Sequence, residues 1–156
     1  MPAPVTDILR RTVFATNLAR TLALFGLIWF VQLVHYPLFL RIAPQDFAAW
    51  EAEHANRTGW VAAPLMVAEL LTALLLLRAS LRPPQIHTYE AALGAALTIV
   101  LWLSTFFVQV PLHNRLHRGS NPALIRRLIH TNWVRTITWT ARAALVLCWL
   151  LRSAAV

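Results

Sequence analysis

The sequence predicts an all-α fold, an integral membrane four-helix bundle, and three observations carry that reading. Hydrophobic residues make up 58% of the chain against 13% charged, with a mean hydropathy of +0.58, a balance wrong for a water-soluble domain. Four apolar stretches, at residues 21–40, 59–77, 91–112 and 132–151, approach the ~20 residues a helix needs to cross a bilayer. The 156 residues otherwise leave only short connections and an N-terminal arm, so residues 1–156 read as a single transmembrane domain.

Residues 5–20 set Val5, Ile8, Leu9, Val13 and Leu18 near one face against Asp7, Arg10, Arg11 and Arg20, the pattern of a short interfacial helix leading into span 1. Arginines before an apolar run also occur in signal peptides. Here the run is long and no convincing small-x-small site follows it, so it reads as a retained span. Span 1 carries Gln32, His35 and Tyr36 in its final third, and Pro37, which lacks a backbone donor, bends or ends it. The first connection contains Asp46, Glu51, Glu53 and His54, with Pro44 placed to start a short helix. Span 2 holds Pro64 and Glu69.

Arg82-Pro83-Pro84 makes the second connection a tight extended turn. Span 3 ends in the run Thr105 to His113 and continues towards His117 until Gly119 stops it. Asn121-Pro122 supplies an N-cap and a first-turn proline for a short helix over 123–130, expected to lie along the membrane surface with Leu124, Ile125, Leu128 and Ile129 opposite Arg126 and Arg127. Span 4 follows.

All 14 basic residues are arginine, and the formal net charge is +8. They are scattered between the spans, so anionic lipid is the natural partner and nucleic acid is not. Membrane orientation stays open, because seven arginines flank one side of the spans and six the other. The single cysteine, Cys148, excludes an intrachain disulfide and any CxxC centre. Oligomeric state is open too, a homo-oligomer included.

A short signature occurs twice. Phe30-Val31-Gln32 precedes Pro37-Leu38, His54-Ala55-Asn56, Arg57-Thr58 and Trp60; Phe107-Val108-Gln109 precedes Pro111-Leu112, His130-Thr131-Asn132, Arg135-Thr136 and Trp139. The kept order reads as an internal repeat of two helical hairpins. With four spans, both copies emerge on one side of the membrane and gather the polar residues there. The residues without a counterpart, His35, Glu69, His113 and Arg142, are then the better site candidates.

Glu69 is the only carboxylate deep in an apolar span, and Arg142 reaches a similar depth on span 4, so the two are expected to face the interior and approach each other. Such a pair either fixes helix register or forms a polar site at mid-membrane. Asn132, Arg135, Trp139 and Arg142 recur at steps of three and four along one stripe of span 4; Thr105, Gln109 and His113 do so on span 3. With Gln32 and Tyr36 these are candidate substrate-binding residues or interhelical hydrogen-bonding groups. His35, Glu69 and His113 are the candidate catalytic acid–base groups. If a metal or haem is bound, His35, Glu69, His113 and His117 are the ligands expected, His113 and His117 having the i, i+4 spacing that grips one ion; no HExxH or glutamate-rich di-iron pattern is evident. Trp50, Trp60 and Trp133 fit an interfacial aromatic belt, whereas Trp139 is placed to floor an apolar pocket.

Val34-His35-Tyr36-Pro37-Leu38-Phe39, Pro64-Leu65-Met66 with Glu69, Gln109-Val110-Pro111-Leu112-His113-Asn114-Arg115 and Asn132-Trp133-Val134-Arg135-Thr136 together resemble an uncharacterised family of small four-span bacterial membrane proteins. That resemblance implies a bacterial inner-membrane location and brings no activity with it. Asn132 to Thr136 is also similar to the Asn-x-x-Arg-Thr element of anthrone-oxygenase-like four-span proteins. This more distant likeness implies oxidation, or a related conversion, of a small lipophilic substrate without an evident cofactor motif. The expectation is a membrane-embedded, oxidoreductase-like enzyme. Its rivals are a non-catalytic module that binds or transports lipid or small molecules, and a metal- or haem-binding membrane protein. The nearly apolar lower halves of spans 2 and 3 weigh against a transport path.

Overall fold

The computed structural model of the chain describes residues 5–154, and every regular element among them is helical. Four long helices follow in order: α1 Val5–Arg41, α2 Phe47–Leu75, α3 Thr88–Leu116 and α4 Pro122–Ala154. Each is long and apolar enough to cross a membrane. The shortest have 29 residues, or about 43 Å at ~1.5 Å per residue, well beyond a ~30 Å hydrocarbon core.

The helices overrun the expected spans because nothing in the sequence stops them. The arm at 5–20 is continuous with span 1, and the segment at 123–130 is continuous with span 4. Neither junction contains glycine or proline, so the expected separate interfacial helices do not form. Phe47–Gly59 likewise runs unbroken into span 2, with Gly59 and Pro64 both inside the helix. The stops do fall at the marked places. Gly119, with φ at 132°, lies just beyond the end of α3, and Asn121 Oδ1 accepts from the backbone N–H groups of Ala123 and Leu124 at 3.1 Å to cap α4.

Pro37 and Pro111 leave a matching mark on α1 and α3. Each is preceded by one π-helical turn, Val31–His35 and Thr105–Gln109, closed by the N–H of Tyr36 on the Val31 carbonyl and of Val110 on the Thr105 carbonyl. A proline offers no N–H to the carbonyl four residues back and crowds it, and the wider turn absorbs both defects while rotating the side chains of the last turns.

In the bundle α1 packs on α2 and α4, and α3 on the same two helices. Its interior has two apolar clusters. One holds Leu24, Tyr36, Phe39, Phe47, Leu101, Leu128 and Trp139; the other holds Phe14, Leu76, Ile86, Val146 and Trp149. On every helix a buried polar residue falls between the two, namely Asn17, Glu69, Thr98 and Arg142. The short connections α1–α2 and α3–α4 leave the bundle at the end of the first cluster, and the functional candidates collect there.

Candidate functional site

The first turns of α2 and the last turns of α1 and α3 bring five ring or carboxyl side chains together. Glu51 and His54 are three residues apart, hence on one face of α2. The π turn of α1 presents His35 and Tyr36, and the last helical turns of α3 present His113. His113 Nδ1 lies 2.5 Å from Glu51 Oε1, and its Nε2 lies 3.0 Å from the Tyr36 hydroxyl, so one imidazole joins a carboxylate to a phenol. His35 Nε2 lies 2.8 Å from His54 Nδ1, which is also 3.1 Å from Thr58 Oγ1. Trp50 stacks on the His54 ring with centroids 5.4 Å apart and planes at 8°, and Phe39, fully buried, meets His35 and His54 edge-on.

Glu51 is the least expected member. It has no solvent exposure, and its Oε2 has no hydrogen-bond partner. Among the described residues the basic groups within 4.0 Å of it are imidazoles, His113 and, at 4.0 Å, His117. One ligand atom from each of Glu51, His54 and His113 falls within 4.8 Å of the other two.

This cluster closes one end of a cavity of about 320 Å³ between α2 and α3. Small residues of α2, Ala55, Gly59, Ala62 and Ala63, face Trp102, Phe106 and Val110 of α3, and several of these walls are exposed on the outer surface of the bundle. A Cβ built on Gly59 would meet nothing within 4 Å, which shows how open this groove is. Tyr36, His54, Gln109, His113, His117 and Arg135 supply the polar part of the lining. A smaller cavity of about 40 Å³, lined by Tyr36, His54, Arg135 and Trp139, reaches further into the bundle. A third, of about 390 Å³, lies on the α1–α2 side of His35 and His54.

The expected site residues thus divide. His35, Tyr36 and His113 come together, with Arg135 and Gln109 on the same cavity and Trp139 on its inner extension; His117 stands at the rim. Gln32 is held elsewhere: its Oε1 accepts from Asn132 at 2.9 Å and Thr136 at 3.2 Å, and its Nε2 donates to the Ile129 carbonyl. Asn132 and Gln32 therefore lock α1 to α4. Gln109 donates to Thr131 Oγ1 at 3.2 Å and still lines the cavity.

Glu69 and Arg142 meet as expected, at 2.9 Å, but apart from the histidines. Arg142 also donates to Asn17 Oδ1 at 3.1 Å, and Thr98 donates to Glu69 Oε1 at 3.2 Å, so all four helices are tied in one fully buried layer. Neither residue lines the cavity between α2 and α3. The ligand set expected for a metal changes accordingly. Glu51 and His54 stand beside His113 where Glu69 and His35 were expected, because the guanidinium of Arg142 occupies Glu69 and His35 contacts His54 from behind. Trp50, expected in an interfacial belt, instead packs on the His54 ring.

Glu51 and His54 were hidden by their place in the sequence, in what reads as a connection. The signal that would have found them is the Glu-x-x-His spacing of Glu51-Ala52-Glu53-His54, which puts a carboxylate and an imidazole on one helix face.

The fold and site define a class, a bundle of four helices long and apolar enough to cross a membrane, with a cavity between α2 and α3 that ends on a carboxylate–imidazole–phenol cluster. Comparison with known protein families, with characterised proteins and with solved structures gave no match to this chain.

Proposed function

We propose that the chain is a membrane-embedded enzyme, oxidoreductase-like, that converts a small lipophilic substrate in the cavity between α2 and α3. The observation that carries this reading is the continuity of that cavity with the Glu51–His113–Tyr36 chain: an apolar chamber of about 320 Å³ ends on groups able to move a proton. The apolar body of the substrate lies against Ala62, Met66, Trp102 and Phe106, and its polar head points at Tyr36, His113 and Arg135. Glu51 orients His113, so that its Nε2 accepts from or returns a proton to the Tyr36 hydroxyl, the logic by which a carboxylate sets an imidazole's tautomer. Arg135 has a buried Nε without a partner and is positioned to hold an oxyanion on the same head.

The likeness of Asn132 to Thr136 to an anthrone-oxygenase-like element supports an oxidative reaction, and the wider resemblance supports a bacterial inner-membrane location. The π turn that ends two residues before Pro37 and before Pro111 supports reading the doubled signature as an internal repeat. In this reading Glu69 and Arg142 fix the helix register and take no part in the reaction.

The test is equilibrium binding of matched pairs, an alkylphenol and the alkylbenzene lacking only its hydroxyl, to the detergent-purified protein, with product analysis on incubation. A site of buried polar groups discriminates strongly against the analogue that leaves them unpaired. The phenol should bind at least tenfold tighter than the alkylbenzene, and Tyr36→Phe should erase most of that difference. Equal binding of the two compounds, unaltered in Tyr36→Phe, would sink the reading; binding without any conversion would reduce it to a binding module.

A further inference from the structure

We infer that Glu51, His54 and His113 form a binding site for one divalent first-row transition metal ion, at the inner end of the substrate cavity. This deepens the reading above and rests on it only for the substrate; the ion is argued from the cluster itself.

Three features point to a cation. The first is the donor set, two imidazoles and one carboxylate within 4.8 Å of one another, a combination that holds Fe(II) on one face and leaves positions open, and that also suits Zn(II) and Co(II). The second is Glu51, a fully buried carboxyl group whose Oε2 accepts no hydrogen bond and which has no arginine beside it. Glu69, equally buried, already has the guanidinium of Arg142 at 2.9 Å; Glu51 has only imidazoles. A carboxylate in that position calls for a positive charge. The third is the support behind the ligands. Nδ1 of His54 is engaged by His35 and Thr58, which leaves Nε2 as its free nitrogen, and the Tyr36 hydroxyl engages Nε2 of His113, which leaves Nδ1 towards Glu51. Outer partners that fix the orientation of ligand imidazoles are the usual surroundings of a metal.

With the ion bound, His54 donates from Nδ1 to His35 Nε2 or Thr58, and His113 donates from Nε2 to the Tyr36 oxygen; His113 then orients the phenol, and the relay through Glu51 and His113 belongs to the ion-free site. With metal–ligand bonds of about 2.1 Å, neighbouring ligand atoms stand roughly 3.0–3.4 Å apart. The 2.5 Å contact between Glu51 and His113 therefore opens by about 0.5–0.9 Å as the ion comes between them, and the wider separations, which lie within 4.8 Å, close onto it by side-chain rotation. His117, at 4.0 Å from Glu51 Oε1, is in reach of a fourth position. Two of the three ligands, His54 and His113, line the cavity, so an ion held there would stand beside the polar head of the substrate and could polarise it.

The test uses untagged full-length protein in detergent, stripped with chelator and titrated with Co(II). The expected result is one equivalent bound, with a visible d–d spectrum, and a fall to under a tenth of an equivalent in Glu51→Gln and in His54→Ala. The exposed His130→Ala should bind as the parent does. Where a variant fails to fold, the parent alone decides: Zn(II) should protect His54 and His113, but not His130, from acylation by diethyl pyrocarbonate, read by mass spectrometry. Absence of stoichiometric Co(II) binding by the parent, retention of binding in the folded Glu51→Gln, or Zn(II) protection confined to other histidines would overturn the site. Its failure leaves the alkylphenol binding above untouched, and failure of that binding leaves the Co(II) titration untouched.

Discussion

Glu51 Oε1 and His113 Nδ1 lie 2.5 Å apart, on different helices and 62 residues apart in the chain. The contact joins α2 to α3 at the polar end of the cavity, where the Tyr36 hydroxyl reaches the other nitrogen of the same ring. The first consequence concerns Tyr36 and His113. His113→Gln keeps a polar group and the bulk but cannot relay a proton, so turnover should drop by about 100-fold or more, within the range for loss of a general acid–base. Turnover in detergent or vesicles, alongside a melting curve, checks this.

Gly59 has open space where a Cβ would stand, and it lines the cavity. Gly59→Leu should fill the groove without strain and remove a helix-weakening residue worth up to about 1 kcal/mol. Ligand affinity should fall at least tenfold while the melting temperature holds or rises. A ligand titration beside thermal unfolding reads both.

Gly94 gives the opposite result. A Cβ there would come within 2.7 Å of Arg142 Nη1 and 3.2 Å of the Trp149 ring. Gly94→Ala should therefore lower stability by about 1–3 kcal/mol despite alanine's better helix propensity, because the neighbours are fully buried and cannot yield. The melting temperature of the purified variant decides.

Glu69→Ala strands Arg142 in a fully buried layer and should cost about 3–5 kcal/mol, whereas Glu69→Met combined with Arg142→Leu should cost far less. Denaturation of the single and double variants in one detergent measures the difference. Equal losses in the two would show that the layer does more than pair charges.

Sequence periodicity was enough for the architecture because a bilayer demands long apolar helices, and Gly119 and Asn121 mark where α3 ends and α4 begins. It also put Glu69 opposite Arg142, since two lone intramembrane charges at matching depth have few other partners. Burial of Glu51 was not legible. Helix α2 begins at Phe47, a full three turns before the apolar run, and only that extension carries Glu51 and His54 inward. The π turns were hidden as well: a proline announces that a helix must adjust, but not whether it kinks, ends or widens by one residue as it does before Pro37 and Pro111. The doubled signature likewise ranked His54 with scaffold residues because His130 matches it in the second copy, yet His130 is exposed on α4 while His54 joins the cluster.

The central claim is that the cavity and the histidine cluster are one site for a lipophilic molecule. Photolabelling tests it most directly: an alkylphenol carrying a diazirine on its chain is irradiated with the protein in vesicles, and the adducts are mapped by mass spectrometry. The account predicts adducts on Ala62, Met66, Trp102 or Phe106 that unlabelled phenol competes away and that Gly59→Leu abolishes. Adducts spread over the outward-facing residues, neither competed nor changed by Gly59→Leu, would contradict it.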